Sequence, residues 1–126
     1  MRTIEEKIIA TLRSGNGFKK LSCRDSVKVE ENRIEYYLWD NLLFWNNTDG
    51  IYFSGRGWSS QTTKNRLNVI LYNFLSASIM QKNYKWILNW KNKSYLIDAT
   101  NIFYFKGDKL YKKASHDEEV LPLENN

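Results

Sequence analysis

The chain has 126 residues, a length that suits one domain with a single buried core. Aromatic residues make up 15% of it, and so high a share usually leaves some rings at a binding surface. One cysteine (Cys23) and one histidine (His116) argue against a disulfide framework, a thiolate zinc site and nucleophiles that depend on histidine. We therefore expect no metal and no cofactor.

The start of the chain is typical of a helix and not of a signal peptide, because Glu5 and Glu6 follow Thr3 within the first turn. The longest apolar runs are far shorter than a membrane span. The sequence therefore favours an intracellular soluble protein without membrane contact.

The net charge of +5 is distributed unevenly along the chain. Four of the 14 acids lie in residues 114–126, which contain no lysine or arginine, so residues 1–113 hold all 19 cations and only ten acids. Between Asp49 and Asp98 there is no acid at all. This one-sided block indicates an anionic partner, either nucleic acid or an acidic protein surface. The alternative is a basic protein whose lysines only solvate its surface.

The N-terminal half reads as a short helix followed by an antiparallel meander. Thr3 and Glu6 fit a capping box, apolar residues at helical spacing follow, and Ser14–Gly17 ends the helix. From Phe18 onward the pattern alternates with a period of two, and turn residues divide it. Four or five short strands are predicted at Phe18–Cys23, Val27–Val29, Ile34–Trp39, Leu42–Trp45 and Ile51–Ser54.

The C-terminal half reads as an amphipathic helix followed by hairpins. Thr62 or Thr63 is expected to cap the helix, which runs to about Gln81. Strands are then predicted at Lys85–Trp90, Ser94–Ile97, Ile102–Phe105 and Lys109–Tyr111. The order predicts an α+β fold: a short N-terminal helix, an antiparallel β meander, a central amphipathic helix and C-terminal β hairpins. We assign residues 1–113 to one domain and residues 114–126 to an acidic flexible tail.

The stretch between the meander and the second helix carries a motif. Gly57-Trp58, then Thr62-Thr63-Lys64-x-Arg66-Leu67-Asn68 and Leu71, resembles the G-W-x-T-x-T-T-K-x-R-[IL]-N-x-x-L pattern of a family of small, mostly uncharacterised proteins of phages and mobile elements. Trp86 and Phe103–Asp108 are similar to segments that its members often carry downstream. Ser60 departs from the usual threonine but keeps the hydroxyl. The resemblance implies a phage or prophage origin, an α+β fold and action in the host cytoplasm, and supplies no catalytic residue.

Several candidates for partner binding lie in or beside this motif. Trp58 is either a surface anchor for a base or a partner protein, or the residue that closes the core beneath its loop. Thr62–Lys64 form either an anion seat at a helix start or a capped helix that satisfies its own amides. Lys64 and Arg66 flank the apolar helix face, where each can contact phosphate or pair with a carboxylate of the sheet such as Glu35 or Asp40. Arg66 is the more structural of the two. Arg56, in the preceding glycine turn, completes this group.

A second group of candidates lies around the basic and aromatic hairpin of residues 85–93. Rings that stack on bases and lysines that contact phosphates are what single-stranded nucleic acid binding requires. Trp86 and Trp90, however, share one strand face with Leu88, which favours their burial and leaves the lysines alone on the surface. The candidate cations of this group are Lys82, Lys85, Lys91 and Lys93.

Catalysis is not expected, because the sequence offers neither convergent carboxylates for a metal nuclease nor a Gly-rich phosphate loop. The favoured hypothesis is a non-enzymatic phage inhibitor of a bacterial defence nuclease, similar in role to anti-CRISPR proteins. It would bind a host defence protein or its ribonucleoprotein complex through a basic surface, since so basic a body cannot imitate DNA. The alternative is a basic module that binds RNA or single-stranded DNA. A third interpretation is a homo-oligomer joined through an exposed aromatic sheet edge.

Overall fold

The computed structural model describes residues 3–124, which form two helices and eleven strands. The helices are α1 (Ile4–Ser14) and α2 (Gln61–Leu75). The strands before α2 are β1 (Gly17–Lys20), β2 (Asp25–Glu30), β3 (Arg33–Leu38), β4 (Asn41–Asn47) and β5 (Gly50–Phe53). The strands after α2 are β6 (Ser78–Lys82), β7 (Lys85–Trp90), β8 (Lys93–Ile97), β9 (Phe103–Lys106), β10 (Lys109–Lys112) and β11 (Glu118–Val120).

The described strands form two antiparallel sheets. The large sheet has the order β1-β2-β3-β4-β5-β9-β10-β11, and the small sheet has the order β6-β7-β8. The last hairpin (β9 and β10) thus pairs with the meander and not with the hairpin before it, and Phe103 on β9 lies opposite Phe53 on β5. The predicted α+β fold class is confirmed, with its N-terminal helix, central helix and C-terminal strands.

One hydrophobic core joins the large sheet, both helices and the small sheet. Alternate residues of the large sheet, such as Phe44, Phe53 and Phe103, are buried on its inner face. Trp90 of the small sheet meets Phe105 of the large sheet edge-on, with ring centroids 4.7 Å apart. Burial of each such side chain contributes about 1.5–3 kcal/mol. The contact between Trp90 and Phe105 therefore helps to hold the two sheets together within the shared core.

A row of four stacked rings crosses the other face of the large sheet. The rings belong to Trp45, Tyr52, Tyr104 and Tyr111, which are neighbours in the strand register. Their centroids are 5.3, 5.0 and 5.2 Å apart in turn. Each such cross-strand pair contributes about 0.2–1 kcal/mol. The row therefore stabilises the pairing of β5 with β9, two strands that are distant in the chain.

The first turn of α2 begins earlier than the sequence predicted. The N-cap is Ser60, whose Oγ accepts the backbone N–H of Thr63 at 3.2 Å. Thr63 is itself inside the helix and bonds Ser60 through its hydroxyl at 2.9 Å. The expectation that Thr62 or Thr63 caps the helix is therefore wrong, because Ser60 also carries a hydroxyl that can cap a helix and the adjoining loop places the N-cap there.

The end of α2 also differs from the prediction, since the helix stops at Leu75 and not near Gln81. Ser76 adopts a left-handed backbone with φ of 56° and ends the helix. Two residues later the chain enters β6, where the side-chain oxygen of Asn68 accepts the backbone N–H of Ile79 at 2.8 Å. The apolar spacing of this segment fits either element, and pairing with β7 decides for a strand.

The acidic C-terminal segment contributes a strand that the sequence did not predict. Glu118–Val120 form β11, which pairs with β10 so that Val120 lies opposite Leu110. Further on, the backbone N–H of Leu123 donates to the carbonyl oxygen of Ser94 on β8 at 2.7 Å. The segment therefore contacts both sheets. The domain boundary at residue 113 stays a prediction, with one strand of the large sheet beyond it.

A buried ion pair joins α2 to the large sheet. Arg66 Nε donates to Asp25 Oδ1 at 2.8 Å, and both side chains are almost wholly buried. Another guanidinium nitrogen of Arg66 donates to Glu5 on α1 at 3.3 Å. The hydroxyls of Ser22 and Tyr36 also donate to the Asp25 carboxylate. Burial by itself raises the pKa of Asp25, but the hydrogen bonds that its carboxylate accepts outweigh burial and hold the pKa below its usual value.

Replacing Asp25 by asparagine is expected to lower the free energy of unfolding at pH 7 by about 3–5 kcal/mol, because the Arg66 guanidinium then stays buried without its anion. The effect depends on pH with a definite sign. Because the pKa of Asp25 is lower in the folded chain than in the unfolded one, its ionisation stabilises the fold above about pH 4. This stabilisation disappears as the pH falls through the lowered pKa.

Urea unfolding of the wild type and of Asp25→Asn between pH 7 and pH 2 measures this effect. The difference between the two free energies should shrink in acid. Glu30→Gln is the matched control, because Glu30 forms only an exposed ion pair with Lys28 at 3.1 Å. A difference between wild type and Asp25→Asn that stays constant over the whole range would contradict the assignment.

Candidate functional site

The structure removes Arg66 from the partner-binding candidates. Its side chain is 5% exposed and its guanidinium is bound by Asp25 and Glu5. The sequence placed Arg66 beside the apolar face of the helix, but could not identify Asp25, 41 residues earlier, as its partner. Arg66 therefore connects secondary-structure elements and is not available to a partner.

Trp86 and Trp90 are buried on the inner face of the small sheet together with Leu88, as their alternation favoured. Their rings cannot stack on bases. The lysines of this hairpin also lie in two separate places, because Lys85 begins β7 and Lys91 follows its end. Six residues of strand place them about 20 Å apart. The hairpin therefore does not present its tryptophan rings and its lysines together on one surface.

The charge asymmetry of the sequence is partly compensated in space by acids from the C-terminal third of the chain. Lys91 Nζ lies 2.8 Å from a carboxylate oxygen of Asp108. Glu118 pairs with Lys112 at 3.6 Å, and Glu119 pairs with Lys109 at 3.4 Å. Within residues 3–124, the candidates that form no ion pair are Arg56, Lys64, Lys82, Lys85 and Lys93.

Trp58 lies on the surface, with 60% of the residue exposed, so of its two interpretations the one in which it closes the core is wrong. The loop that contains Trp58 is held by its backbone, because the N–H of Gly57 donates to the carbonyl oxygen of Ala99 at 2.7 Å. A Cβ on Gly55 would lie 2.7 Å from that same oxygen, which explains the glycine. Contact between backbones thus holds the loop and leaves its tryptophan free.

Trp58 borders a cleft of about 500 Å³, which we call the tryptophan cleft. Trp39, at the β3–β4 turn, lines the same cleft and is 62% exposed. The remaining lining residues are Leu38, Asn41, Leu43, Ser60, Thr62 and Thr63. The volume and the mostly apolar lining are typical of binding clefts.

A second cleft of about 600 Å³ lies on the other side of the same loop, and we call it the lysine cleft. Ser59, the neighbour of Trp58, lines it together with Tyr84 and Lys85. Tyr84, at the β6–β7 turn, is 96% exposed. The loop of residues 57–60 is therefore a ridge between two clefts, each bordered by exposed aromatic residues.

The backbone at two of these rings is unusual. Trp39 has φ of 49° and Tyr84 has φ of 63°, a left-handed conformation that bulky residues rarely adopt. Holding such a residue there costs about 1–3 kcal/mol, and positions of this kind cluster at functional sites. Both turns keep a large exposed ring where asparagine or glycine would be less strained.

The remaining candidate cations surround the ridge unequally. Lys82 and Lys85 are both exposed and flank the Asn83-Tyr84 turn. The guanidinium of Arg56 already makes a hydrogen bond within the chain, since its Nε donates to the carbonyl oxygen of Leu42 at 2.8 Å. Lys64, in the first turn of α2, is half-buried. Lys93 lies at the far end of the small sheet.

An acid near the ridge, Asp98, is engaged within its own turn. In the part of the chain that the structure describes, no group of three or more His, Cys, Asp or Glu side chains is placed to hold a metal ion. Asp98 lines the lysine cleft, where burial raises its pKa and hydrogen bonds from Asn101 and Thr100 lower it more strongly. Its carboxylate is thus engaged in a local turn.

Sequence reasoning missed Trp39 and Tyr84, the two most unusual residues of this surface. A helix that runs to Gln81 excludes a strand before residue 83, so the sequence-based prediction contains no hairpin turn at residues 83–84. The signal was present in the sequence, because Lys82-Asn83-Tyr84-Lys85 precedes an alternating strand and asparagine favours such turns. Trp39 was assigned to the end of a strand and not to the turn.

Comparison with known sequences identifies the chain as a phage protein. It belongs to the family described as Kyanoviridae Gp96 protein, which matches residues 1–111, from the N-terminus into β10. The phage origin that the motif implied is thereby confirmed. No curated protein and no solved structure matches the chain. In addition, no helix within residues 3–124 is long and apolar enough to cross a membrane.

The exposure of Trp39 and Trp58 predicts that their emission accounts for most of the quenching of tryptophan fluorescence by iodide. Replacing Trp39 and Trp58 by phenylalanine should lower iodide quenching of the tryptophan emission by about half or more, because quenching requires access to the ring. Trp86→Phe, which removes a buried ring, is the control and should leave the quenching nearly unchanged. Equal quenching of the double variant and the wild type would show that these two rings are not the accessible ones.

Proposed function

We propose that this phage protein is a non-enzymatic binding protein that inhibits a bacterial defence nuclease, in the manner of an anti-CRISPR protein. The observation that carries the proposal is the surface around the ridge, where three strongly exposed aromatic residues, Trp39, Trp58 and Tyr84, border the two clefts. Tryptophan and tyrosine are the residues most enriched among the anchors of protein interfaces. The two strained turns support a selected role for their rings.

Charge indicates which kind of partner the ridge suits. Lys82 and Lys85 flank Tyr84 and form no ion pair within residues 3–124. They would be attracted to an acidic patch of a nuclease or to the nucleic acid that the nuclease holds. An imitation of DNA is not part of the proposal, because exposed lysines and not carboxylates flank Tyr84. Inhibition would therefore act on a nuclease or on its complex with a guide, and not by filling an empty DNA channel.

A cleavage assay tests the proposed inhibition. Purified guide-loaded nucleases of several types are given target DNA with and without excess protein, and wild type should stop cleavage by at least one of them. Tyr84→Ala combined with Lys85→Ala should lose at least about tenfold in inhibitory potency, since aromatic anchors typically contribute 2 kcal/mol or more.

Lys19→Ala combined with Lys20→Ala is the matched control for this assay. These residues are exposed on β1, at one edge of the large sheet and outside both clefts. The control variant should inhibit as well as the wild type. Undiminished cleavage by every nuclease type in the presence of excess protein would refute the proposed function.

A second candidate function is direct binding of single-stranded RNA or DNA. It is favoured by Tyr84, a nearly fully exposed ring between two exposed lysines, which could stack on a base while Lys82 and Lys85 contact phosphates. The tryptophans of the hairpin, which suggested this function in the sequence, cannot contribute because they are buried. The candidate site therefore moves to the β6–β7 turn.

Binding of labelled single-stranded RNA and DNA at several salt concentrations tests this alternative. Lys82→Gln with Lys85→Gln should reduce the slope of log K against log salt by about 1.4, because each phosphate contact on a single strand contributes about 0.7. Tyr84→Ala should lower the affinity by about 1–3 kcal/mol without changing the slope. Absence of binding even at low salt would rule out this function and leave proteins as the partners.

A further inference from the structure

The acidic segment after β10 is attached to the large sheet by paired charges. In the register of β11, Glu118 lies opposite Lys112, Glu119 opposite Tyr111, and Val120 opposite Leu110. The carboxylates pair with Lys112 and Lys109. Val120 packs against the hydrophobic core. The outer edge of β10 thus accepts a strand with two carboxylates followed by a branched aliphatic residue.

Contacts on either side of β11 complete this attachment. The hydroxyl of Tyr104 donates to Asp117 at 2.7 Å, and the N–H of Ala114 donates to the same carboxylate at 3.1 Å. Pro122 follows the strand and cannot donate a backbone hydrogen bond, which prevents the ladder from continuing. Beyond it, within the described residues 123–124, the backbone N–H of Leu123 joins the segment to Ser94 of the small sheet.

This attachment is weak for a strand of a folded domain. It contains three residues, and both ion pairs are solvent-exposed, so each contributes about 0.2–1 kcal/mol or less. Glu118, Glu119 and Val120 also line the lysine cleft, so they cover one side of it. The family match ends at residue 111, within β10, and therefore does not include β11.

We propose that the outer edge of β10 is a docking site for an extended acidic strand of a partner protein, and that residues 118–120 of this chain occupy it until the partner's strand replaces them. The partner segment carries two adjacent carboxylates, which bind Lys109 and Lys112, and then an aliphatic residue, which enters the site of Val120. Its backbone extends the large sheet, a common mode of peptide recognition. This inference does not depend on the proposed inhibition of a nuclease.

The tether to β10 explains why the site is normally closed. A short connection gives the attached segment an effective concentration in the millimolar range, so a free peptide with the same contacts competes poorly. Weakening the attached segment should therefore open the site without altering it. Replacing Lys109 and Lys112, by contrast, should destroy the site.

The test measures binding of a fluorescent peptide with the sequence of residues 114–124 to full-length variants. Glu118→Gln, Glu119→Gln and Val120→Ser are combined to loosen the attached strand. Glu30→Gln with Glu31→Gln is the control, which removes two adjacent acids elsewhere on the surface. The peptide should bind the loosened variant at least about tenfold more tightly than the wild type or the control, because the competitor is removed. Adding Lys109→Gln and Lys112→Gln should abolish that gain.

Three results would overturn the proposal: equal binding of the peptide to all variants, a gain that survives loss of the two lysines, or a gain for a dT10 oligonucleotide but not for the peptide. The last would assign the uncovered lysines to phosphate.

Hydrogen exchange on the wild type gives a reading that does not depend on variants. The amides of Glu118–Val120 should exchange at least about tenfold faster than those of Phe103–Phe105, since local openings are easiest where few contacts hold. Equal protection of the two strands would show that β11 does not open and so cannot be replaced by a partner's strand. Peptide binding together with undiminished nuclease cleavage would refute the proposed function and leave the docking edge standing.

Discussion

The buried ion pair between Asp25 and Arg66 is the interaction on which the placement of the helices against the large sheet depends. Arg66 reaches from α2 to a carboxylate on β2 and touches Glu5 on α1, so one guanidinium fixes three elements. In a low-dielectric interior this arrangement is tolerable only because every partner is present, and in residues 3–124 no buried side-chain polar atom lacks one.

The rigidity of that joint matters for the ridge, which begins at the N-terminus of the same helix. Ser60 caps α2 and belongs to the loop that separates the two clefts. A loop held by backbone contacts, between a fixed helix and a large sheet, can present Trp58 without a supporting side chain. The stability of the well-packed core thereby offsets the energetic cost of the exposed rings and the left-handed turns.

The charged residues of this protein are distributed differently in space than along the chain. The acid-free stretch between Asp49 and Asp98 suggested one continuous basic surface, but folding separates its lysines and pairs Lys91 with Asp108. Glu118 and Glu119 in turn pair with Lys112 and Lys109 on β10. What remains is a small basic turn around Tyr84 and an edge of β10 covered by the chain's own acids. Function is therefore better sought in local combinations of ring and charge than in net charge.

The sequence by itself determined the α+β class, the antiparallel meander, the buried tryptophan face of β7 and the phage origin, because period and turn residues are local signals and a motif is read directly. Tertiary structure alone decided the partner of Arg66, the end of α2, the exposure of Trp58 and the docking of the acidic strand. Each of these depends on contacts between residues far apart in the chain, such as Asp25 with Arg66 or Leu110 with Val120, which local patterns cannot specify.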